Sequence, residues 1–288
     1  MKIATYRHAG STAFGLVIGD SVRGLSKALP DIADLRELIE KADGDVARYL
    51  LAHDVLAEAP IELSAVELLA PIPRPAKFLG LGGNYRDHRS ESKAARSNGD
   101  RQIWFNKQVS CVNGPYQPVL KPGGSDELDY EGELGVVIGK RCRNVRAADA
   151  PDVIFGYLIC NDISVRDWQT RSPTHTLGKS FDTHGPIGPW ITTSEEVDIS
   201  DLALRTYVNG VVRQDARTSD MIFTIGEMIE ELSSAFTLEP GDILATGTPS
   251  GIGKYMTPSG YLEVGDTVRV EIEMLGFIEN QVIAERRA

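Results

Sequence analysis

From residue 76 onward the apolar residues fall in short runs. "KFLGLG", "VLKPG", "GELGVVIG", "VIFGYLICND", "PIGPWITT", "LALRTYVNGVV", "DILATGT" and "TVRVEIEML" have strand character, and Gly, Pro, Asn and Asp separate them. One stretch departs from this rhythm. "IGEMIEELSSAF" (225–236) sets Met228, Ile229, Leu232 and Phe236 at helical spacing. Near the start, "KIATYR" and "FGLVIGDSVRGL" predict two or three short strands with Gly-Asp turns. "DIADLRELIEKADGDVARYLLAH" then predicts a helix with Asp31 or Asp34 as N-cap. Three prolines in "APIPRPAKF" (70–78) mark a boundary. The pattern predicts a small N-terminal unit over 1–70 and a β-rich α+β domain over 71–288.

Composition narrows the partners. The 288 residues carry a net charge of −11 and a pI of about 5.0. That balance disfavours nucleic acid and anionic membrane, though a bound cation can reverse the sign locally. Cys111, Cys142 and Cys160 form no CxxC spacing, so neither a disulfide framework nor a zinc site follows. Cys142 and Cys160 lie in or beside apolar runs and are expected to be buried thiols. The N-terminus has no apolar core of signal-peptide length, and no apolar stretch approaches the roughly 18 residues of a membrane span. A cytoplasmic protein is expected. "GLGGNY" lacks the dinucleotide-binding spacing, and "GKS" at 178–180 has Pro173 where a P-loop needs its first glycine.

Candidate chemistry begins in "LDYEGELGVVIGK" (128–140), where Asp129, Glu131 and Glu133 sit two apart. In a continuous strand they share a face. A solvated edge is one reading. The apolar run after them argues instead for a strand covered on both faces, where clustered carboxylates need a proton or a cation. Asp162 ends a second apolar run, in "VIFGYLICNDISVRDWQ". Two glutamates and this aspartate give three oxygen ligands on one side of a hard cation, Mg²⁺, Mn²⁺ or Ca²⁺. Such an open site can chelate a 2-oxo acid. In "NYRDHRSE" (84–91), His88 and Glu91 are three apart and share a face on a helical turn. A carboxylate on one ring nitrogen makes the imidazole a base; a solvated surface histidine is the alternative. His8, His53, His175 and His184 carry no such pattern, and His184 is read as a structural loop histidine.

Five segments together resemble the fumarylacetoacetate hydrolase family: "GLGGNYRDHRSE", "LDYEGELGVVIGK", "GYLICNDISVRDWQ", "LGKSFDTHGPIGPW" and "TGTPSGIG", in the family's order. The resemblance implies a mixed β-sandwich roll, a small N-terminal β domain and a homodimer. It implies Mg²⁺ or Mn²⁺ on Glu131, Glu133 and Asp162, with Asp129 beside the ligands rather than among them. It also implies a catalytic dyad of His88 and Glu91, a lysine beside the metal at Lys179, and substrate contacts from Gln169 and Thr248. A structural ion pair is the alternative role for Lys179, and backbone turns suffice to explain the glycines of "TGTPSGIG".

The chemistry so implied is hydrolytic C–C cleavage of an acylpyruvate-like or diketo acid. The alternatives are decarboxylation of an oxaloacetate-type acid and isomerisation or hydration of an unsaturated 2-oxo acid. Two departures from the family pattern bear on the substrate. "SKAARSNGDRQI" stands where relatives carry a proline-rich link, and Thr174-His175 stand where Gln-Trp is common. Residues 86–103 hold Arg86, Arg89, Lys93, Arg96 and Arg101 with few apolar residues. That composition predicts a mobile segment that orders over an anionic ligand.

Overall fold

All seven residues of the strand Gly132–Ile138 are buried. β-branched and leucine side chains cover both of its faces, which places it in the middle of the molecule. The computed structural model describes residues 1–53, 55, 58–91 and 101–285. Within it, Gly132–Ile138 pairs antiparallel with Ile154–Asn161 on one side and Ile243–Ala245 on the other. The large sheet runs in the order Pro60–Glu62, Ser21–Gly24, Ser11–Ile18, Lys2–His8, Gly185–Thr193, Ile154–Asn161, Gly132–Ile138, Ile243–Ala245, Phe78–Gly82, Ile103–Lys107. A second sheet has five strands, in the order Val211–Arg217, Ala203–Val208, Thr267–Ile272, Gly276–Ala284, Val119–Lys121.

The period of two decides what each face meets. Leu134, Val136, Tyr157 and Ile159 pack with Leu204, Val270, Ile272 and Ile278 of the second sheet, and with Ile225, Ile229 and Leu232 of the helix Ile225–Ala235. Thr224 caps that helix, with Glu227 completing a reciprocal capping box. On the opposite face, Val137, Leu158 and Cys160 pack with Ile3, Phe14, Leu35 and Leu38. Gly132 lets the second sheet approach, because a Cβ there would run into the Thr206 hydroxyl. The result is the β-rich, mixed-sheet architecture expected from the sequence.

The first seventy residues extend the large sheet, through the register Lys2↔Thr192 and Ile3↔Ile191. Two local expectations need correction. The helix expected over 31–53 is two helices, Leu35–Lys41 and Val46–Ala52, capped by Asp34 and Asp45. Between them Asp43 and Gly44 take φ of 47° and 77°, which no helix can continue through. Cys142 is half-buried, whereas Cys160 is buried. Residues 92–100, the centre of the segment expected to be mobile, lie outside the described residues. Among the described residues no helix is long and apolar enough to cross a membrane.

Candidate active site

Asp129, Glu131 and Glu133 do not share one continuous strand face. Leu128–Asp129 pairs with Ser164–Val165 in a separate ribbon, and the long strand begins only at Gly132. The break at Tyr130 and Glu131 turns Asp129 away from the other two. Its carboxylate accepts from Arg166 Nε at 2.8 Å and from the backbone N–H groups of Gly253 and Lys254 at 2.8 and 3.0 Å. Glu131, Glu133 and Asp162 do converge: each offers an oxygen within 4.8 Å of the others, and all three are buried. The backbone enforces this meeting, since Asp162 N–H donates to the Glu131 carbonyl at 2.8 Å.

Three buried cations surround the carboxylates. Lys179 Nζ donates to Glu131 at 2.7 Å and to Asp162 at 2.5 Å. Lys107 Nζ donates to the other oxygen of Asp162 at 2.6 Å, and Arg166 Nη1 to Glu131 at 2.6 Å. Lys179 therefore makes the ion pair named as its alternative role, and it does so with two of the candidate ligands. Among the described residues, four buried acids (Asp129, Glu131, Glu133, Asp162) face three buried bases (Lys107, Arg166, Lys179), an excess of one negative charge in the buried cluster.

The excess shows at Glu133. Burial, and then the neighbouring Asp162 and Glu131, push its carboxyl well above the usual range. Its carboxylate accepts from the Gly247 backbone N–H at 2.7 Å. Burial also disfavours the Glu131 carboxylate, but Lys179 and Arg166 outweigh it and hold that carboxyl well below the usual range. A cage of buried oxygens in anionic excess suits a hard divalent cation.

His88 and Glu91 lie side by side on the helix Arg86–Glu91, with His88 Nδ1 3.3 Å from Glu91 Oε2. The carboxylate can only accept, so this pairing places the proton on Nδ1 and leaves Nε2 as the free base. Glu91 Oε1 accepts from Gly251 N–H at 3.0 Å. A cavity of about 290 Å³ is walled by His88, Arg89, Glu131, Arg166, Gln169, His175, Lys179, Thr248, Lys254 and Tyr255, among others.

Gln169 gives its Oε1 to Arg166 at 3.1 Å, which leaves its N–H₂ for the cavity. The Thr248 hydroxyl donates to Gly132 O at 2.9 Å and accepts from Gln214 at 2.8 Å. His175, at the Thr-His departure, lines the wall at φ 57° with its ring held on Gln169 O at 3.1 Å. His184 is buried, bonded through Nε2 to Leu120 O at 2.8 Å, and is not among the lining residues. That is the structural role read from the sequence.

Sequence reasoning missed Arg166 and Lys107. The available signal was an ionisable residue at the end of an apolar stretch, four after Asp162 in one case and closing "IWFNK" in the other. It also missed what the glycine loop does. Gly247 and Gly251, at φ 97° and 102°, aim backbone N–H groups at Glu133 and Glu91.

Fold and site together define a β-rich protein whose buried acidic cage reaches a small cavity through Glu131. Residues 77–283 match the model of the fumarylacetoacetate (FAA) hydrolase C-terminal domain, and the chain belongs to that family. It is 40% identical to an oxaloacetate tautomerase, YisK of Bacillus subtilis (strain 168), over 98% of this chain and 100% of the relative. Among solved structures, it resembles maleylpyruvate hydrolase from Sphingobium sp. SYK-6 in complex with manganese(II) ion and pyruvate. That likeness has a TM-score of 0.81 and 32% identity, over 99% of this chain and 100% of that one. It also resembles 5-carboxymethyl-2-hydroxymuconate delta-isomerase from Mycobacterium smegmatis, with a TM-score of 0.80 and 34% identity, over 99% and 100% of the two chains. The relatives are hydrolases, isomerases and tautomerases of small organic acids.

Proposed function

We propose that the protein is a divalent-cation-dependent isomerase that interconverts the enol and keto forms of a 2-oxo dicarboxylic acid of the oxaloacetate type. The observation that carries this reading is one small cavity walled by both Glu131 of the acidic cage and His88 of the His88–Glu91 pair. The full-length likeness to an oxaloacetate tautomerase favours isomerisation among the reactions such a cavity could run.

The residues fit a metal ion on the charge count given above. Glu131, Glu133 and Asp162 would hold Mg²⁺ or Mn²⁺, which when bound supplies Lewis-acid polarisation of the 2-oxo carboxylate end. His88 Nε2 takes a proton from C3 of the keto form as the C3–H bond breaks, while the C2 oxygen takes a proton from solvent to give the enol; in the reverse direction the enol O–H proton leaves to solvent and the imidazolium returns its proton to C3. Glu91 keeps the His88 Nδ1 proton in place and stabilises the imidazolium that forms. Lys179 spaces Glu131 from Asp162 and adds positive charge beside the developing enolate. Gln169 offers its amide N–H groups to the substrate. Thr248, its hydroxyl already engaged, fixes the wall and contacts substrate through its remaining lone pair.

Hydrolytic C–C cleavage of an acylpyruvate-like or diketo acid is the second reading, favoured by the likeness to maleylpyruvate hydrolase. In that case His88 deprotonates a water instead of carbon. The test supplies enol-enriched oxaloacetate with Mg²⁺ or Mn²⁺ and an EDTA control, then follows loss of the enol absorbance and formation of pyruvate. A parallel assay follows acid release from an acylpyruvate. Metal-dependent enol loss without pyruvate is expected. Acid release from the acylpyruvate, with no acceleration of enol loss, would replace this reading with the hydrolytic one.

A further inference from the structure

The cavity wall holds cations of two kinds. Arg166 and Lys179 are committed to buried carboxylates at 2.5 to 2.8 Å. Lys254 is not. Its ammonium lies 5.7 Å from the centre of the Tyr255 ring, and among the described residues it makes no ion pair. Its backbone is nonetheless held firmly. Lys254 N–H and Gly253 N–H both donate to Asp129, the acid that holds Arg166 against Glu131. Gly253 is packed so closely that an added Cβ would meet Asp129 Oδ1 at 2.7 Å. The chain thus places a partly buried ammonium at the cavity wall, ties its backbone to the framework of the acidic cage, and gives it no direct carboxylate contact among the described residues. Burial, and then Arg166, hold this lysine below its ordinary range, outweighing the opposing pull of Glu127, Asp129 and Glu131.

We propose that Lys254 is the specificity-determining residue that binds the carboxylate at the far end of a 2-oxo dicarboxylic acid. This rests on the reading above, in which the near, 2-oxo end lies at the acidic cage. Lys254 and Glu131 of the cage line the same cavity, which at about 290 Å³ is at the small end of ligand sites and so suits a short diacid. A monocarboxylic 2-oxo acid would leave the ammonium unpaired and bind more weakly. A charge-assisted hydrogen bond lost from such a site costs roughly 10- to 100-fold in affinity.

The experiment compares wild type, Lys254→Gln and Lys254→Arg, each loaded with Mn²⁺. Calorimetric titration uses oxalate, which occupies only the near end, 2-oxobutyrate, which has no far carboxylate, and 2-oxoglutarate, which has one. Kinetics use oxaloacetate. Wild type should prefer 2-oxoglutarate to 2-oxobutyrate, and Lys254→Gln should abolish that preference while binding oxalate as wild type does. KM for oxaloacetate should rise roughly 10- to 100-fold with kcat within about threefold, the signature of binding shared by ground and transition states, and Lys254→Arg should restore most of it. Three outcomes overturn the proposal: a wild type that does not discriminate the two acids, an unchanged preference in Lys254→Gln, or equal weakening of oxalate and 2-oxoglutarate. Absence of oxaloacetate turnover in wild type would count against the tautomerase reading alone, because the binding arm still decides the role of Lys254.

Discussion

Gly251 donates its backbone N–H to Glu91 at 3.0 Å, and so docks the His88–Glu91 helix against the loop that also supports Glu133. The geometry suits glycine alone. Gly251 has φ of 102°, and a Cβ would collide with the Arg213 carbonyl. The His88–Glu91 pair and the acidic cage are therefore held by one stretch of backbone.

Removing the base should leave the cage intact. His88→Asn is expected to lower turnover by about 10² to 10⁴, the usual worth of general base catalysis. Mn²⁺ affinity, read by calorimetry, should stay within about threefold of wild type. A comparable fall in metal affinity would mean that His88 belongs to the cage. Glu91→Gln keeps an acceptor for Gly251 but loses the anion, and should give a smaller fall in kcat.

Metal binding should raise thermal stability, because a cation held only by the folded chain shifts the folding equilibrium. Saturating Mn²⁺ is expected to raise Tm in wild type and not in Asp162→Asn. Equal shifts in both proteins, measured by scanning calorimetry, would place the cation elsewhere.

Arg166 bridges two buried carboxylates, Asp129 and Glu131. Arg166→Gln strands both charges, which typically costs about 3 to 5 kcal/mol. Urea denaturation should show a loss of that order. A loss below about 1 kcal/mol would mean that water or protonation compensates the site.

His184 should make the fold sensitive to acid. Burial pushes its imidazole down to about 3. The unfolded chain therefore takes up this proton first, at about 6.5, and stability contributed by the neutral form is lost as pH falls from 6.5 toward 3. His184→Gln keeps a donor for Leu120 O and removes the titration. The gap in unfolding free energy between wild type and variant should change by up to about 5 kcal/mol across that window and stay flat above it. A gap that does not move with pH would show that His184 is protonated or exposed.

The sequence disclosed the fold where one period ran uninterrupted. Leu134 to Ile138 and the helix with Met228, Ile229 and Leu232 stand as expected. It misled where a local break reset the geometry: at Tyr130, which separates Asp129 from Glu131, and at Asp43-Gly44, which divides a helix. Glu131, Glu133 and Asp162 were legible because acids at the ends of buried strands need a reason to be there. Arg166 and Lys107 were not, because their meaning depends on which carboxylates the fold sets against them.

Asp129, Arg166, Glu131, Lys179, Asp162 and Lys107 form an unbroken line of alternating charge. Effects of substitutions along such a line do not add, because each change strands a neighbour. Single-step drift at any of the six is therefore penalised before a compensating change can arise. Lys254 and His175 stand outside the line, where one substitution disturbs no buried pair. A change in the acid accepted is therefore reached at the cavity wall at lower cost than in the charged spine.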